Sequence, residues 1–398
     1  MASTADQMRA WRGPALLTFG FRPFFLGAAL WAALAMVLWL GMLAGHVTLP
    51  TRFDPISWHA HEFLFGYLGA VMAGFLLTAV PNWTGRLPVV GWPLTVLVLL
   101  WLAGRGAVMV SGLLGPIPTA AIDLAFPVVL AGVIAREIVR GRNWRNLAVL
   151  ALFAVFVAGN AVFHAEAAAD RFAAQGFGMR IGIAGAVLMI AFIGGRIVPS
   201  FTRNWLVRRE AGRLPAPPMR GYDKLALAGL ALALVAWIAA PESVPAGVLL
   251  LAAGGLHALR LVRWSGDRTG AEPLVWVLHA AYAFVALGAL ALGVAALWPD
   301  GLAPAAALHL WMAGAIGLMT LAVMTRATLG HTGQALTAGA GTTLVYGLMI
   351  AAALVRLAAG LVPEAASDLY LASGLLWIGA FAGFALLYGP LLLRERQG

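Results

Sequence analysis

A chain of 398 residues that is 62% hydrophobic and 11% charged is no ordinary soluble domain, where about a quarter of residues are charged, and its mean hydropathy of +0.89 marks a polytopic membrane protein. With no cysteine, disulfides, iron–sulfur clusters and thiolate metal sites are excluded, so any metal must be held by His, carboxylate, Met or Tyr. The net charge of +10 sits in short arginine-bearing segments between apolar runs, where orientation in a bilayer explains it and nucleic-acid binding does not.

A membrane span needs about 20 mostly apolar residues. On that basis the sequence predicts an all-α fold of twelve helices over 24–45, 55–80, 89–112, 117–140, 143–168, 176–199, 222–240, 244–263, 273–298, 303–326, 340–361 and 368–393, forming a single transmembrane domain, 1–398. No signal peptide is read before the first span, which itself serves for insertion. Arg9 and Arg12, Arg86, the group Arg136, Arg140, Arg142 and Arg145, the basic stretch 203–224, the group Arg260, Arg263 and Arg268, and Arg394 with Arg396 fall on alternate connections. Those connections are cytoplasmic by the positive-inside rule, which places both termini inside. The ends of the second, sixth and tenth helices, at 80–86, 198–203 and 323–326, resemble one another. That spacing suggests three four-helix pseudo-repeats of about 1–142, 143–268 and 269–398, with interfacial Pro, Trp and Arg as the simpler account of the same residues.

The second helix carries the densest chemistry. His59 and His61 enter it from the outer side, roughly 6 to 9 Å deep at about 1.5 Å per residue, and His164 and His309 come out at a similar depth on the fifth and tenth helices. Glu62, Asp123, Glu166, Arg105 and Arg356 share that outer half. Ionisable groups within a membrane are functional candidates by default. His59 and His61 are two residues apart and point about 200° from one another, so they serve two centres sooner than one. Imidazole suits iron and copper, and a heme with a copper, or two hemes, are the options. Asn160, one turn from His164, is a candidate partner for that ring. Arg105 and Arg356 suit heme propionates, although Arg105 paired with Asp123 is the plainer arrangement. Glu62 and Glu166 are candidate proton carriers. On the inner side His257 and His279 lie on consecutive helices where their rings could meet, and His331 follows Arg326 in the same leaflet. These are a bis-His heme site or a structural hydrogen-bonded pair. The small residues of the sixth helix, around 182–195, read as close helix packing.

The segments GFRPFFLGAALWA from Gly20, WHAHEFLFGY from Trp58, AVPNWTGR ending at Arg86, GGRIVPSFTRNW from Gly194 and MTRATLGHTG from Met324 resemble the NnrS family of bacterial membrane proteins over essentially the whole chain. The resemblance implies a twelve-span inner-membrane protein that contains heme and copper and takes part in the response to nitric oxide and nitrosative stress, often alongside denitrification. It assigns no ligands. Three four-helix units also resemble, in architecture alone, the catalytic subunits of heme-copper oxidases. The expectation is a protein that binds nitric oxide and processes or detoxifies it, as a heme-dependent oxidoreductase if it turns over, with an unknown electron donor. A transporter or metal-delivery protein using the histidines as ion ligands, and a nitric oxide sensor without turnover, are the alternatives.

Overall fold

The computed structural model describes residues 11, 13–86, 88–209 and 211–394, so Arg9, Arg12 and Arg396 of the charge pattern lie outside the described residues. Among the described residues every regular element is a helix. Twelve are long and apolar enough to cross a membrane: α1 (Phe21–Leu43), α2 (Pro55–Thr84), α3 (Trp92–Met109), α4 (Pro116–Arg140), α5 (Trp144–Ala168), α6 (Phe177–Leu206), α7 (Gly221–Ala239), α8 (Val244–Val262), α9 (Pro273–Leu297), α10 (Pro304–His331), α11 (Ala340–Ala358) and α12 (Pro363–Leu393).

The start of α2 follows from its sequence. The Asp54 side chain accepts from the backbone N–H groups of Ile56 and Ser57, and Pro55 takes the first helical position, where its missing N–H is no loss. Its end differs from the expected one. The helix continues through Pro81 to Thr84 and stops at Gly85, whose φ of 68° suits glycine. Likewise α6 runs through Pro199 to Leu206, and α10 passes Arg326 to end at His331. A proline removes one hydrogen bond, whereas ending the helix there would leave several backbone groups unsatisfied in a poorly hydrated setting.

The described residues form two compact units: Met1–Gly182 with Ala327–Ala335 and Phe381–Gly398, and Ile183–Arg326 with Leu336–Ala380. In the first unit α2 is enclosed, 83% of its most apolar 18-residue stretch being buried, against 39%, 33% and 39% for α3, α4 and α5. Close approach is set by glycines. A Cβ on Gly159 of α5 would stand 2.5 Å from the Gly182 backbone nitrogen, and one on Gly178 would stand 2.2 Å from that of Phe163, so α5 meets the start of α6 as the small-residue pattern predicts. Within α2 the turn Glu62–Tyr67 is π-helical, as is Leu310–Gly317 within α10. Each begins directly after a histidine, and π turns frequently mark functional positions.

Candidate metal centre

In the first unit, α2 carries His61 and Glu62 roughly 10 Å from its start at 1.5 Å per residue. From α5, Asn160 and His164 project off one face, four residues apart. Asp123 of α4 lies between them. Its Oδ2 accepts from Asn160 Nδ2 at 2.8 Å and His164 Nε2 at 3.0 Å, with His61 Nε2 at 3.3 Å. His61 Nε2 also faces Asn160 Oδ1 at 3.0 Å, and its Nδ1 faces Glu62 Oε1 at 2.9 Å. Arg105 of α3 closes the cluster, donating through Nη1 to Glu62 Oε1 at 2.6 Å and through Nη2 to Asp123 Oδ1. One turn before Arg105, Trp101 Nε1 donates to the Gly66 carbonyl at 2.9 Å, so one face of α3 grips the π turn of α2.

Burial makes this cluster a charge problem. His61 and Glu62 are fully buried, with Asp123 at 1% and Arg105 at 4% exposure. Phe53, Phe65 and Phe163 surround the His61 ring at centroid distances of 5.4 Å each. Two carboxylates face one guanidinium, which leaves one negative charge over. His61 meets oxygen acceptors at both ring nitrogens, so the cluster calls for a further cation, either a second proton on that ring or a metal ion at Nε2. The donor set suits the metal. One ligand atom each from His61, Asp123 and His164 lies within 4.8 Å of the others. Two imidazoles and a carboxylate form a set that holds iron or copper. Glu62 behind the Nδ1–H of His61 is the outer support that orients a metal-bound histidine. Glu62 Oε2 is buried without a partner.

The other predicted residues stand elsewhere. His59 points away from His61, as their spacing requires, stacking on Trp39 at 4.5 Å and packing on Phe63. His309 belongs to the second unit, where its Nδ1 bonds the Ala305 carbonyl of its own helix at 2.6 Å. Asn160 partners His61 and Asp123, not His164. Arg105 has two carboxylates of the chain to satisfy, so it is not free for a propionate, and Arg356 stacks on Tyr370 at 4.5 Å. Glu166 accepts from the backbone N–H groups of Phe177 and Gly178 at 2.8 and 3.0 Å, which makes it the cap of α6.

In the second unit His257 and His279 do not bond each other. Arg260 donates to Asp223 at 2.7 Å, to the Ala191 carbonyl at 2.9 Å and to the Tyr282 hydroxyl at 2.7 Å. That hydroxyl donates to His257 Nδ1 at 2.8 Å, and His257 Nε2 donates to the Ala226 carbonyl at 3.1 Å. His279 Nε2 donates to Thr202 Oγ1 at 2.7 Å, and its Nδ1 has no partner. His331 ends α10 and packs in the first unit against Phe19 and Phe21, at 6.4 and 5.3 Å.

The residue missing from the predicted ligand set is Asp123. The signal in the sequence is an acid at the eighth position of the apolar span Pro116–Arg140, which an ion pair with Arg105 alone also explains. Gly66 was missed as well. A Cβ there would stand 2.3 Å from Arg105 Nη1.

An all-helical polytopic membrane protein with a buried His/Asp/His group is the class these features define. Residues 15–396, nearly the whole chain, match the family described as NnrS protein, and the chain belongs to that family. No curated protein matches it.

Proposed function

We propose that the chain is a metal-dependent nitric oxide protein of the bacterial inner membrane, with both termini cytoplasmic, and that its metal is held by His61 Nε2, His164 Nε2 and Asp123. The observation that carries this reading is the convergence of those three ligand atoms within 4.8 Å, with Glu62 orienting His61 and Arg105 and Asn160 orienting Asp123. Family membership supplies the link to nitric oxide. Copper fits the set, because imidazole and carboxylate are ordinary ligands for it. Bound there, it would supply a redox-active Lewis acid for a small ligand. The chain's own residues hold its charge in balance, keep His61 in one tautomer, and exclude bulk water with a phenylalanine shell.

A heme does not fit this cluster. The His61 and His164 rings lie 5.0 Å apart at 70° with both Nε2 atoms on Asp123, and neither adjoining space accommodates a macrocycle. The transport reading gains less support, since Arg105 ties α2, α3 and α4 into one block around the ligands.

Metal analysis and electron paramagnetic resonance on purified protein test the proposal. About one copper per chain is expected, lost in His164→Ala and His61→Ala while the helical content stays. Wild-type protein that takes up no copper or iron would end the reading. Nitric oxide consumption with an electron donor then separates an enzyme from a sensor.

A further inference from the structure

The buried network of the second unit holds a tyrosine whose proton has a base waiting for it. The Ala226 carbonyl can only accept, so the 3.1 Å bond to it puts the imidazole hydrogen of His257 on Nε2 and leaves a lone pair at Nδ1. The Tyr282 hydroxyl donates to that lone pair at 2.8 Å, while its oxygen accepts from Arg260 Nη1 at 2.7 Å. Arg260 has no lone pair to offer, so of the two partners only His257 can take the phenol proton. Tyr282 and Arg260 are fully buried and His257 is 1% exposed, which keeps bulk water from competing for it. A carbonyl would satisfy the same hydroxyl without holding its proton, as the Leu256 carbonyl does for Tyr222. Tyr346 has a threonine hydroxyl, Thr325 Oγ1, in that place.

Charge and ring contacts decide what such a pair can do. Asp223 Oδ1 accepts from Arg260 Nε at 2.7 Å, so one carboxylate already offsets the one guanidinium and the group is neutral as it stands. An intact phenol is too weak an acid to give its proton to imidazole. A phenol that has lost an electron is a strong acid, and its proton crosses the 2.8 Å bond at once. The imidazolium so formed is a buried charge that nothing in the group offsets, which keeps the proton ready to return when the electron is replaced. The electron has an aromatic path as well. Trp264 meets the Tyr282 ring edge-on at 4.5 Å between centroids. It is 1% exposed and lies in the connection between α8 and α9, directly after exposed Arg263, so it joins the buried phenol to one end of the unit.

From this we infer that Tyr282 is a reversible one-electron donor, with His257 as its fixed proton acceptor and Trp264 as the path for the electron. The oxidant is nitrogen dioxide, the one-electron oxidant that nitric oxide forms with dioxygen. Nitrogen dioxide gains the electron and becomes nitrite, the Tyr282 O–H bond breaks, the proton forms an N–H bond at His257 Nδ1, and a neutral phenoxyl radical remains. A one-electron reductant such as a quinol reverses each change. The choice of oxidant rests on the nitric oxide reading, whereas the redox pair does not. Flash photolysis of the full chain with a ruthenium trisbipyridine photo-oxidant, followed by electron paramagnetic resonance, tests the pair with no nitrogen oxide present. A tyrosyl signal is expected, formed more slowly in heavy water and with a hyperfine coupling that changes when histidine alone carries a heavy nitrogen isotope. His257→Gln is expected to slow its formation about 100-fold or more, and Tyr282→Phe to remove the histidine-coupled signal. No tyrosyl signal in the wild type, or one without histidine coupling, overturns the inference whether or not the variants fold. Trp264→Phe is expected to slow formation with the coupling unchanged, and an unchanged rate overturns the path. Nitrogen dioxide made from nitrite by pulse radiolysis is expected to raise the same signal. Its failure where the photo-oxidant succeeds would overturn the oxidant and leave the pair standing.

Discussion

Arg105 donates to two carboxylates that differ in what else they hold: Glu62 supports a histidine, and Asp123 is itself a ligand candidate. Removing one partner of a buried ion pair costs about 3–5 kcal/mol because the other is left uncompensated. Arg105→Gln leaves both carboxylates without their guanidinium, and thermal unfolding of the metal-free protein is expected to show a loss of that size. Glu62→Gln does the opposite to the charge count, leaving Arg105 facing Asp123 alone. The metal-free protein should tolerate it, while copper affinity falls roughly 10–100-fold through the weakened support of His61. Equal destabilisation by both variants would show that the excess charge does not govern the cluster. His61 and His164 were legible in the sequence because depth along an apolar span can be counted. His59 and His309 share their depth and not their surroundings, since depth is one coordinate and the facing of each helix is another. Asp123 is visible in the sequence as an intramembrane acid, but only the approach of α4 to both α2 and α5 shows that it serves both histidines.

Element ends carry the same lesson. Glu166 was readable as an intramembrane carboxylate, yet its place two residues before the end of α5 lets it turn onto the first N–H groups of α6. Glu166→Gln is expected to lower stability by about 1 kcal/mol, the usual worth of a cap with a favourable dipole contact, and to leave nitric oxide handling unchanged. Loss of activity at unchanged stability would return it to a proton-carrying role. The ends expected at Val80 and Arg326 fall short of those at Thr84 and His331, because a helix in lipid keeps its backbone bonded past a proline or an arginine. With the true ends in view, α2 and α10 share more than was read. Each has a π turn directly after a histidine, and each is followed by a glycine of positive φ, Gly85 and Gly333. In each helix 24 residues separate that histidine from that glycine, His61 from Gly85 and His309 from Gly333.

At the scale of the whole chain, the twelve spans were countable because about 20 apolar residues are needed each time and the chain is apolar almost throughout. Orientation rests on the arginine pattern alone, and it determines which compartment the cluster faces. His61 and His164 lie near those ends of α2 and α5 that the pattern assigns to the outer face. The absence of cysteine makes a clean test available. Ala169→Cys, exposed between α5 and α6, and Ala211→Cys, exposed between α6 and α7, each give a single reactive thiol. In intact spheroplasts a membrane-impermeant maleimide is expected to label the first, and the second only after lysis. The reverse result would turn the cavity at Arg52 and His164 toward the cytoplasm. Hydrated ligands and protons would then come from the cell interior.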